Sequence, residues 1–359
     1  MPELYLGGSP HIGTPVRTGM IMAQVLIALF PAAVFGVIQY GLHALWVIVV
    51  SIAAAAAGEA LFRKITGQEN RTADLSAVVT GLLLALILPP GIPLWMAALG
   101  GLFATVAAKE FFGGLGANVF NPALIGRAFL LMSFPAAMTS WIQPGGYFPP
   151  TPGVEAVSRA SAHLSLDSIS GATPLGIMKM GGAVADVSRQ FAASGLAGGT
   201  GYLAMLRTLF FGNHGGTIGE SSALLILAGF FYLLVIKVID WRAPAAMIST
   251  VFVFSLLLKM DPVFSILAGG LLFGAVFMAA DYATSPLTAK GKLLFGAGAG
   301  IITVLIRRWG NYPEGVMFGI LMMNACTPFL NRLLQKKYGY VPPPKKAKAA
   351  KAVTEGVVK

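Results

Sequence analysis

A short polar stretch in an otherwise apolar chain holds the residues with the clearest chemical potential. It occupies residues 167–173, reads D-S-I-S-G-A-T, and lies in a long polar loop. The hydroxyl of Thr173 could carry a covalently attached group, although a threonine hydroxyl is a weak nucleophile unless something else activates it. We therefore expect a separate enzyme to present the group. Gly171 and Ala172 leave room beside the backbone for that approach, and Asp167 and Ser170 can hydrogen-bond the local turn.

Residues 113–127 form a second polar cluster, rich in glycine and asparagine and ending at Arg127. Two interpretations of this cluster stay open. A Gly-rich turn near a helix start can offer backbone N–H groups to an anion or to the edge of a cofactor ring, with Arg127 supplying positive charge. Alternatively, the glycines only allow close helix packing, and Asn118 and Asn121 cap helix ends.

The composition indicates that these residues are positioned by membrane spans. The chain of 359 residues is 56% hydrophobic and 11% charged, with a mean hydropathy of +0.76, far from the balance of soluble domains. Apolar runs near the ~20 residues that cross a bilayer recur along it. They predict an all-α polytopic membrane protein with about ten transmembrane helices, at roughly 19–41, 43–61, 73–92, 93–112, 121–139, 221–240, 242–259, 264–283, 291–308 and 313–332.

The long loop divides the chain into two halves of five spans. If both termini are cytoplasmic, most Lys and Arg residues fall on the inside, as membrane topology favours. The exceptions are Lys259, Arg307 and Arg308, so the ninth span is the least consistent with the rule. The basic tail suits an anionic cytoplasmic leaflet and has nothing to bury, so we expect it to be disordered. The predicted units are an N-terminal segment 1–18, a first repeat 19–139, a periplasmic or extracellular loop 140–220, a second repeat 221–333 and a tail 334–359.

An odd number of spans in each half is the arrangement of inverted-topology repeats. A weak sequence repeat supports it, because G-L-L at residues 81–83 precedes a break at 89–91, and G-L-L at 270–272 precedes a break at 283–286. Paired broken helices are the best sequence indication of a mid-membrane site. Asp74 and Asp281 lie near a start or a break in one half each, which makes them candidates for a cation or proton path.

Two further patterns indicate structure rather than chemistry. Gly296 and Gly300 lie in an apolar segment without a preceding strand, so they predict a G-x-x-x-G packing face and not a dinucleotide fingerprint. Asp240 and Arg242 flank a tryptophan in a short turn, which predicts an interfacial anchor with a local ion pair.

Several functions are not indicated. The single cysteine, Cys326, cannot form a disulfide framework or a chain-internal iron–sulfur cluster. The four histidines are scattered, so we expect no protein metal site, and no catalytic Ser/His/Asp or paired-carboxylate arrangement is present. The basic residues lack aromatic interleaving, so nucleic acid is not an expected partner.

Residues 167–173 resemble the signature at which a flavin transferase joins FMN, through its phosphate, to the final threonine. An ordinary Ser/Gly-rich loop with S-G-A-T by chance is the alternative. Most of the chain is similar to the NqrB/RnfD family of membrane subunits. The segments that carry this resemblance are Ser9-Pro10-His11, Asp74-Leu75-Ser76-Ala77, Leu88-Pro89-Pro90, Gly126-Arg127-Ala128-Phe129, Gly219-Glu220-Ser221-Ser222, Asp240-Trp241-Arg242-Ala243-Pro244, Asp281 to Leu287 and Tyr312-Pro313-Glu314-Gly315-Val316.

The resemblance implies one station in an electron relay within a multi-subunit complex of a bacterial inner membrane. FMN on Thr173 would exchange electrons with iron–sulfur and flavin subunits, while the complex couples ferredoxin and NAD redox chemistry to Na⁺ or H⁺ movement. A noncovalent riboflavin is a second cofactor that related proteins hold. Candidate flavin or ion contacts are Asn118, Asn121, Arg127, Asp74 and Asp281. Tyr282 and Ala283 depart from the Pro-Val that the family pattern leads us to expect after Asp281.

Three alternatives stay open. The segment before the first span is short, which favours a subunit of the Rnf type over one of a Na⁺-pumping NADH:quinone oxidoreductase. A secondary transporter would also have inverted repeats with broken helices, but it leaves residues 167–173 unexplained. A passive scaffold within an assembly would need no flavin.

Overall fold

Helices account for all the regular structure among the residues that the structure describes. The structure is a computed structural model that describes residues 17–68, 72–142, 144, 173–179, 184–193, 201–310 and 312–334. The first half contains α1 (Thr18–Tyr40), α2 (Leu42–Ile65), α3 (Ser76–Leu86), α4 (Leu94–Val106), α5 (Pro122–Ser133) and the short α6 (Pro135–Met138).

The loop and the second half are helical as well. Described loop segments form α7 (Pro174–Lys179), α8 (Val184–Ala193) and α9 (Tyr202–Phe211). The second half contains α10 (Ala223–Val235), α11 (Arg242–Leu257), α12 (Pro262–Leu267), α13 (Leu271–Phe273), α14 (Ala289–Trp309) and α15 (Val316–Leu334). Short 3₁₀ turns occur at Thr72–Asp74, Glu110–Phe112 and Ile218–Glu220.

Four helices in the described ranges are long and apolar enough to cross a bilayer. They are Thr18–Tyr40, Leu42–Ile65, Leu94–Phe112 and Ala289–Trp309. Five shorter apolar helices accompany them, at Ser76–Leu86, Pro122–Ser133, Tyr202–Phe211, Ala223–Val235 and Arg242–Leu257. The membrane class of the chain is thereby supported, and the ninth predicted span, 291–308, coincides with α14.

The eighth predicted span, 264–283, is not one continuous helix. The chain folds there as α12, a break at residues 268–270, α13, and a π-helical turn at Gly274–Met278. Gly269 adopts a φ of 69°, a left-handed conformation that residues with a Cβ rarely take. Because the backbone turns at Gly269, the helix cannot continue through this segment.

Side-chain caps define several helix starts. Asn121 and Asp261 each accept a hydrogen bond from the N–H three residues later, at 3.3 and 2.9 Å, and a proline follows each of them. Proline at the first helical position loses no hydrogen bond, since that N–H has no partner within the helix. Asn121 therefore caps a helix, as one of the two interpretations of residues 113–127 expected.

Glycines bring the long helices into close contact. In the first half, a Cβ at Gly101 of α4 would lie 2.8 Å from the carbonyl of Ser51 in α2. In the second half, Gly296 and Gly300 of α14 face the carbonyls of Ala243 and Met247 in α11. Small residues at such interfaces allow backbones to approach. The predicted packing face of Gly296 and Gly300 is confirmed.

The hydrophobic core has two parts. The main part joins helices of both halves, including Leu84, Leu86, Phe273 and Phe295, all at most 1% exposed. A smaller part packs the described loop helices onto α12, through Leu175, Val187, Met205, Leu209 and Phe264. The smaller core holds the segment after residue 172 against the second half.

Candidate functional site

Thr173 lies at the start of α7 and is buried, with 6% of its surface exposed. Its hydroxyl oxygen accepts a hydrogen bond from the N–H of Gly176 at 3.0 Å, and its carbonyl accepts one from Ile177 at 3.0 Å. A threonine followed by proline is a favoured helix start, because the hydroxyl binds a free N–H and proline needs none. The hydroxyl is therefore held in one place. The other motif residues, Asp167, Ser170, Gly171 and Ala172, fall outside the described residues.

Thr173 lines a cavity of about 300 Å³. The loop helix contributes Gly176 and Lys179, and α5 contributes Arg127 and Leu131. The remaining walls are Met138, Thr139, Trp141, Tyr312, Pro313, Glu314 and Met317. The structure thus brings Thr173 together with Arg127, which the sequence had grouped with the Gly/Asn-rich turn.

An ion pair joins the two halves of the chain at this cavity. Arg127 Nη2 lies 2.5 Å from Glu314 Oε2, and the two side chains are 11% and 15% exposed. A charge buried to this extent needs a partner, since desolvation alone would cost several kcal/mol. The pair leaves a compensated guanidinium and carboxylate in the wall beside Thr173.

Lys179 attaches the loop helix to the end of α14. Its ammonium donates hydrogen bonds to the carbonyls of Ile306 and Arg307, at 3.3 and 2.9 Å. Cations are favoured there, because the last carbonyls of a helix have no partners within it. Partial burial lowers the pKa of Lys179 below its usual value.

The cavity has the chemistry to hold an anionic group with a flat ring. Its volume is at the lower end of the ~300–1,000 Å³ of small-molecule sites. Lys179 supplies positive charge, since Arg127 is neutralised by Glu314, and the rings of Trp141 and Tyr312 supply flat apolar surface. A phosphate ester on Thr173 with an attached aromatic ring system fits these residues.

A second cavity, of about 80 Å³, collects most of the other predicted contacts. Its lining includes Asn118, Asn121 and Asp281, together with Ser76 and Lys109. Asp74 does not line it but accepts hydrogen bonds from the N–H of Ser76 at 2.8 Å and from its hydroxyl at 2.5 Å. The two carboxylates predicted from opposite halves of the chain therefore belong to one region.

A buried charge network adjoins this second cavity. The Lys109 ammonium lies 2.6 Å from Glu59 Oε2 and donates to Ser76 Oγ at 2.6 Å. Arg63 lies 3.0 Å from Glu110, and the four charged side chains are at most 4% exposed. Two positive and two negative charges balance, which lets the network persist in an apolar interior.

Sequence reasoning missed several residues of the first site. Glu314 was included only through the resemblance, and Lys179 and Trp141 carried no signal. Arg307 did give a sequence signal, because its predicted place on the outer side went against the positive-inside pattern. The structure shows Arg307 6% exposed and donating hydrogen bonds to the carbonyls of Ser265 and Ala268. The sequence did not predict this packing role of Arg307.

Glu220 was also not predicted as a site residue. It lies at the end of the turn Ile218–Glu220, just before α10, and is 5% exposed. Its Oε1 has no hydrogen-bond partner among the described residues. The sequence signal for it was limited to its place in a segment that carries the family resemblance.

Comparison with known proteins finds sequences that match nearly the whole chain. The NQR2, RnfD, RnfE family model matches residues 6–339. A relative from Clostridium ljungdahlii is 42% identical over 342 residues, 93% of this chain and 96% of the relative, and is named as a subunit of a proton-translocating ferredoxin:NAD(+) oxidoreductase complex. One from Acetobacterium woodii is 40% identical over 350 residues, 97% of this chain and 99% of the relative, and is named as a subunit of a Na(+)-translocating ferredoxin:NAD(+) oxidoreductase complex.

A third relative, from Stutzerimonas stutzeri, is 38% identical over 331 residues, 89% of this chain and 91% of the relative. It is named as a subunit of an ion-translocating oxidoreductase complex. Since the family match and these alignments extend over most of the sequence, this chain belongs to the NQR2, RnfD, RnfE family.

Proposed function

We propose that this chain is the RnfD-type membrane subunit of an ion-translocating ferredoxin:NAD oxidoreductase complex, and that it relays electrons through FMN bound covalently to Thr173. The names of relatives at 42% and 40% identity over almost the entire chain support the role in the complex. One of those names specifies protons and the other Na⁺, so the proposal includes both ions. The chain is active only with its partner subunits.

The observation that carries the FMN proposal is the composition of the cavity at Thr173. A hydroxyl held at its edge, the ammonium of Lys179, the ion pair of Arg127 and Glu314, and two aromatic rings surround a space that suits a small-molecule site. Bound FMN would supply the exchange of one or two electrons. The chain's residues would do the rest: Thr173 would hold the phosphate, Lys179 would offset its charge beside the paired Arg127 and Glu314, and Trp141 and Tyr312 would offer flat surface to the ring.

Asp167, Ser170, Gly171 and Ala172 serve in attachment rather than in electron transfer. We infer that a flavin transferase recognises these residues before the hydroxyl of Thr173 becomes buried. The buried state of Thr173 supports this order, because an enzyme cannot reach a hydroxyl of a residue that is 6% exposed. Attachment would therefore precede docking of α7 onto the end of α14.

We propose two inverted five-helix repeats, 19–139 and 221–333, in a bacterial inner membrane with both termini cytoplasmic and the loop outside. The packing supports equivalence of the halves, since α2 contacts α4 and α11 contacts α14, each through glycine. Likewise, α4 contacts α5 in the first half, and the equivalent helices α14 and α15 are in contact in the second half. Membrane lipids cover the exposed apolar faces, and iron–sulfur and flavin subunits are the electron partners.

The second cavity suits an ion better than a second flavin. Asn118, Asn121 and Asp281 supply oxygen ligands, and Asp74 orients Ser76 beside them. Its volume of about 80 Å³ is well below the ~300 Å³ of the smallest common ligand pockets. Noncovalent riboflavin, the second cofactor proposed from the resemblance, does not fit this cavity as it stands. We place the Na⁺ or H⁺ path here.

The test is mass spectrometry of the complex produced with a flavin transferase. We expect an FMN adduct on the peptide that contains residues 167–173. Thr173→Ala must lose the adduct, whereas Thr173→Ser keeps a hydroxyl and retains part of it. Thr139→Ala is the matched control, because Thr139 is a second hydroxyl in the same cavity and should leave the adduct intact.

Three outcomes would contradict the proposal. An adduct retained by the Thr173→Ala variant would move the attachment site elsewhere. A colourless, well-folded preparation of this chain alone, without any adduct, would instead favour the alternatives, and solute movement into vesicles would then identify a secondary transporter. Loss of the adduct with unchanged electron transfer by the complex would identify a passive scaffold.

A further inference from the structure

The turn that carries Glu220 lies between the broken helices of the two halves. The N–H of Ile218 donates to the carbonyl of Leu88 at 3.2 Å, in the break after α3. A Cβ at Gly219 would lie 2.7 Å from Leu86 on one side and 3.1 Å from Phe273 on the other. The turn therefore fills the place where the two discontinuous helices meet, which is the expected position of a site in an inverted repeat.

The carboxyl group of Glu220 reaches the second break. A side chain at Gly270 would collide with Glu220 Oε1, and a Cβ at Gly216 would lie 3.5 Å from Oε2. Glu220 is 5% exposed, and its Oε1 has no partner in the part of the chain that the structure describes. A buried carboxylate oxygen without a donor is costly. Protonation removes the charge and converts the group into a donor.

Charged groups surround Glu220 on several elements. Arg307 of α14 and Glu220 lie beside adjacent residues of the second break, since a Cβ at Gly269 would lie 3.5 Å from Arg307 Nη2 and one at Gly270 would collide with Glu220 Oε1. Electrostatic interactions connect Glu220 with Arg127 of α5 and with Glu314 as well. Tyr40 of α1 and His214 are the titratable neighbours on the other side, where the Tyr40 hydroxyl donates to the His214 carbonyl at 3.1 Å. When Glu220 and Glu314 are both ionised, their two negative charges are balanced by the positive charges of Arg127 and Arg307.

The same charges line the proposed flavin site. Arg127 and Glu314 form part of the cavity wall beside Thr173, and Lys179 binds the carbonyl of Arg307. An electron arriving in that cavity adds a negative charge to a balanced, buried cluster. Low-dielectric surroundings strengthen such interactions, so a compensating proton is favoured nearby. Glu314 is already paired with Arg127 at 2.5 Å, whereas Glu220 has an oxygen without a partner among the described residues.

We propose that Glu220 binds one proton when an electron reaches the flavin on Thr173 and releases it when the electron leaves. The proton comes from water: an O–H bond of a hydronium ion breaks, and a new O–H bond forms on the Glu220 carboxylate. The electron comes from the partner subunits. This inference rests on the proposed function, and it makes Glu220 the link between the redox site and proton movement at the junction of the two halves.

The test is reduced-minus-oxidised infrared difference spectroscopy of the whole complex. Protonation of a carboxylate on reduction produces a carboxylic-acid C=O band. We expect this band in the native complex and its loss in Glu220→Gln and in Thr173→Ala. The matched control is Asp186→Asn, which removes a surface carboxylate of α8 paired with Arg189 and should leave the band unchanged.

Mass spectrometry of the same samples separates the two proposals. If no flavin is found on Thr173, the proposed function fails before the role of Glu220 is tested. If flavin is present and the band persists in Glu220→Gln, Glu220 is not the proton-binding group. If the band persists in Thr173→Ala, the responding carboxyl belongs to a different cofactor and the proposal is equally wrong.

A second measurement does not depend on the folding of a variant. The native complex is produced with ¹³C-carboxyl-labelled glutamate, which lowers the frequency of any glutamate C=O band. We expect the reduction-induced band to shift. A band that stays in place would assign the proton to an aspartate such as Asp281 and overturn the role of Glu220.

Discussion

Removal of Arg127 tests whether the ion pair at the cavity holds the two halves together. Coulomb's law, at 2.5 Å and an effective dielectric constant of about 20, gives about 7 kcal/mol of attraction between Arg127 and Glu314. Desolvation of both groups offsets most of it. Arg127→Met, however, leaves Glu314 buried without its partner, for which losses of about 3–5 kcal/mol are typical.

We expect the lower end of that range, because the two side chains keep 11% and 15% of their surface exposed. A loss of about 3 kcal/mol changes the unfolding equilibrium by roughly two orders of magnitude. The free energy of unfolding is measured in detergent by tryptophan fluorescence, on protein without flavin, so that cofactor loss does not contribute. The double variant Arg127→Met/Glu314→Gln should recover most of the loss, since it removes both charges.

The matched control is Arg189→Met. Arg189 and Asp186 form a pair at 3.2 Å, but their side chains are 81% and 46% exposed. Surface pairs contribute about 0.2–1 kcal/mol, so this variant should be nearly as stable as the native chain. If Arg127→Met lost no more stability than Arg189→Met, or if the double variant were as unstable as the single one, our account of the buried pair would be wrong.

Three further predictions concern the second cavity, its adjoining charge network and the turn that contains Asp240. Lys109→Met leaves Glu59 without its closest cation and should lower the free energy of unfolding by about 3–5 kcal/mol, with most of it recovered when Glu59→Gln is added. Asp281→Asn should reduce ion uptake by vesicles more than flavin content, and unchanged uptake would exclude Asp281 from the ion path. Burial alone would raise the pKa of Asp240, but hydrogen bonds from Arg242 and Lys292 outweigh it and lower the pKa below its usual value. Its contribution to stability is therefore present above the pKa of the unfolded chain and lost as the pH falls through the folded-state pKa. Native and Asp240→Asn proteins should differ in free energy of unfolding at neutral pH and converge in acid; a difference that persists in acid would contradict this.

Local features of the structure followed from the sequence. The helix cap at Asn121 and the packing face of Gly296 and Gly300 depend on neighbouring residues or on a single helix. The predicted ion pair of Asp240 and Arg242 also formed, at 2.8 Å, because the two residues share one turn. The structure added Lys292, 52 residues away, as a second partner of Asp240 at 3.0 Å.

The residues that line the two cavities could not be predicted from the local sequence pattern. Arg127 was grouped by sequence with Asn118 and Asn121, yet it lies in the wall beside Thr173 while the asparagines line the second cavity. The spacing along α5 explains the division, because a helix advances about 1.5 Å per residue and separates positions 121 and 127 along its axis. A run of neighbouring residues in sequence can therefore serve two sites.

By itself the sequence determined the membrane class, most helix positions, the family and the threonine on which the flavin proposal rests. Hydropathy, helix capping and short motifs depend on residues that are close in the chain, so they can be recognised from the sequence alone. Only the tertiary structure decided that Arg127 meets Glu314 across 187 positions and that Glu220 lies where two broken helices converge. Such contacts depend on how distant segments pack, and the energy of a buried charge is set by those neighbours rather than by its own residue type.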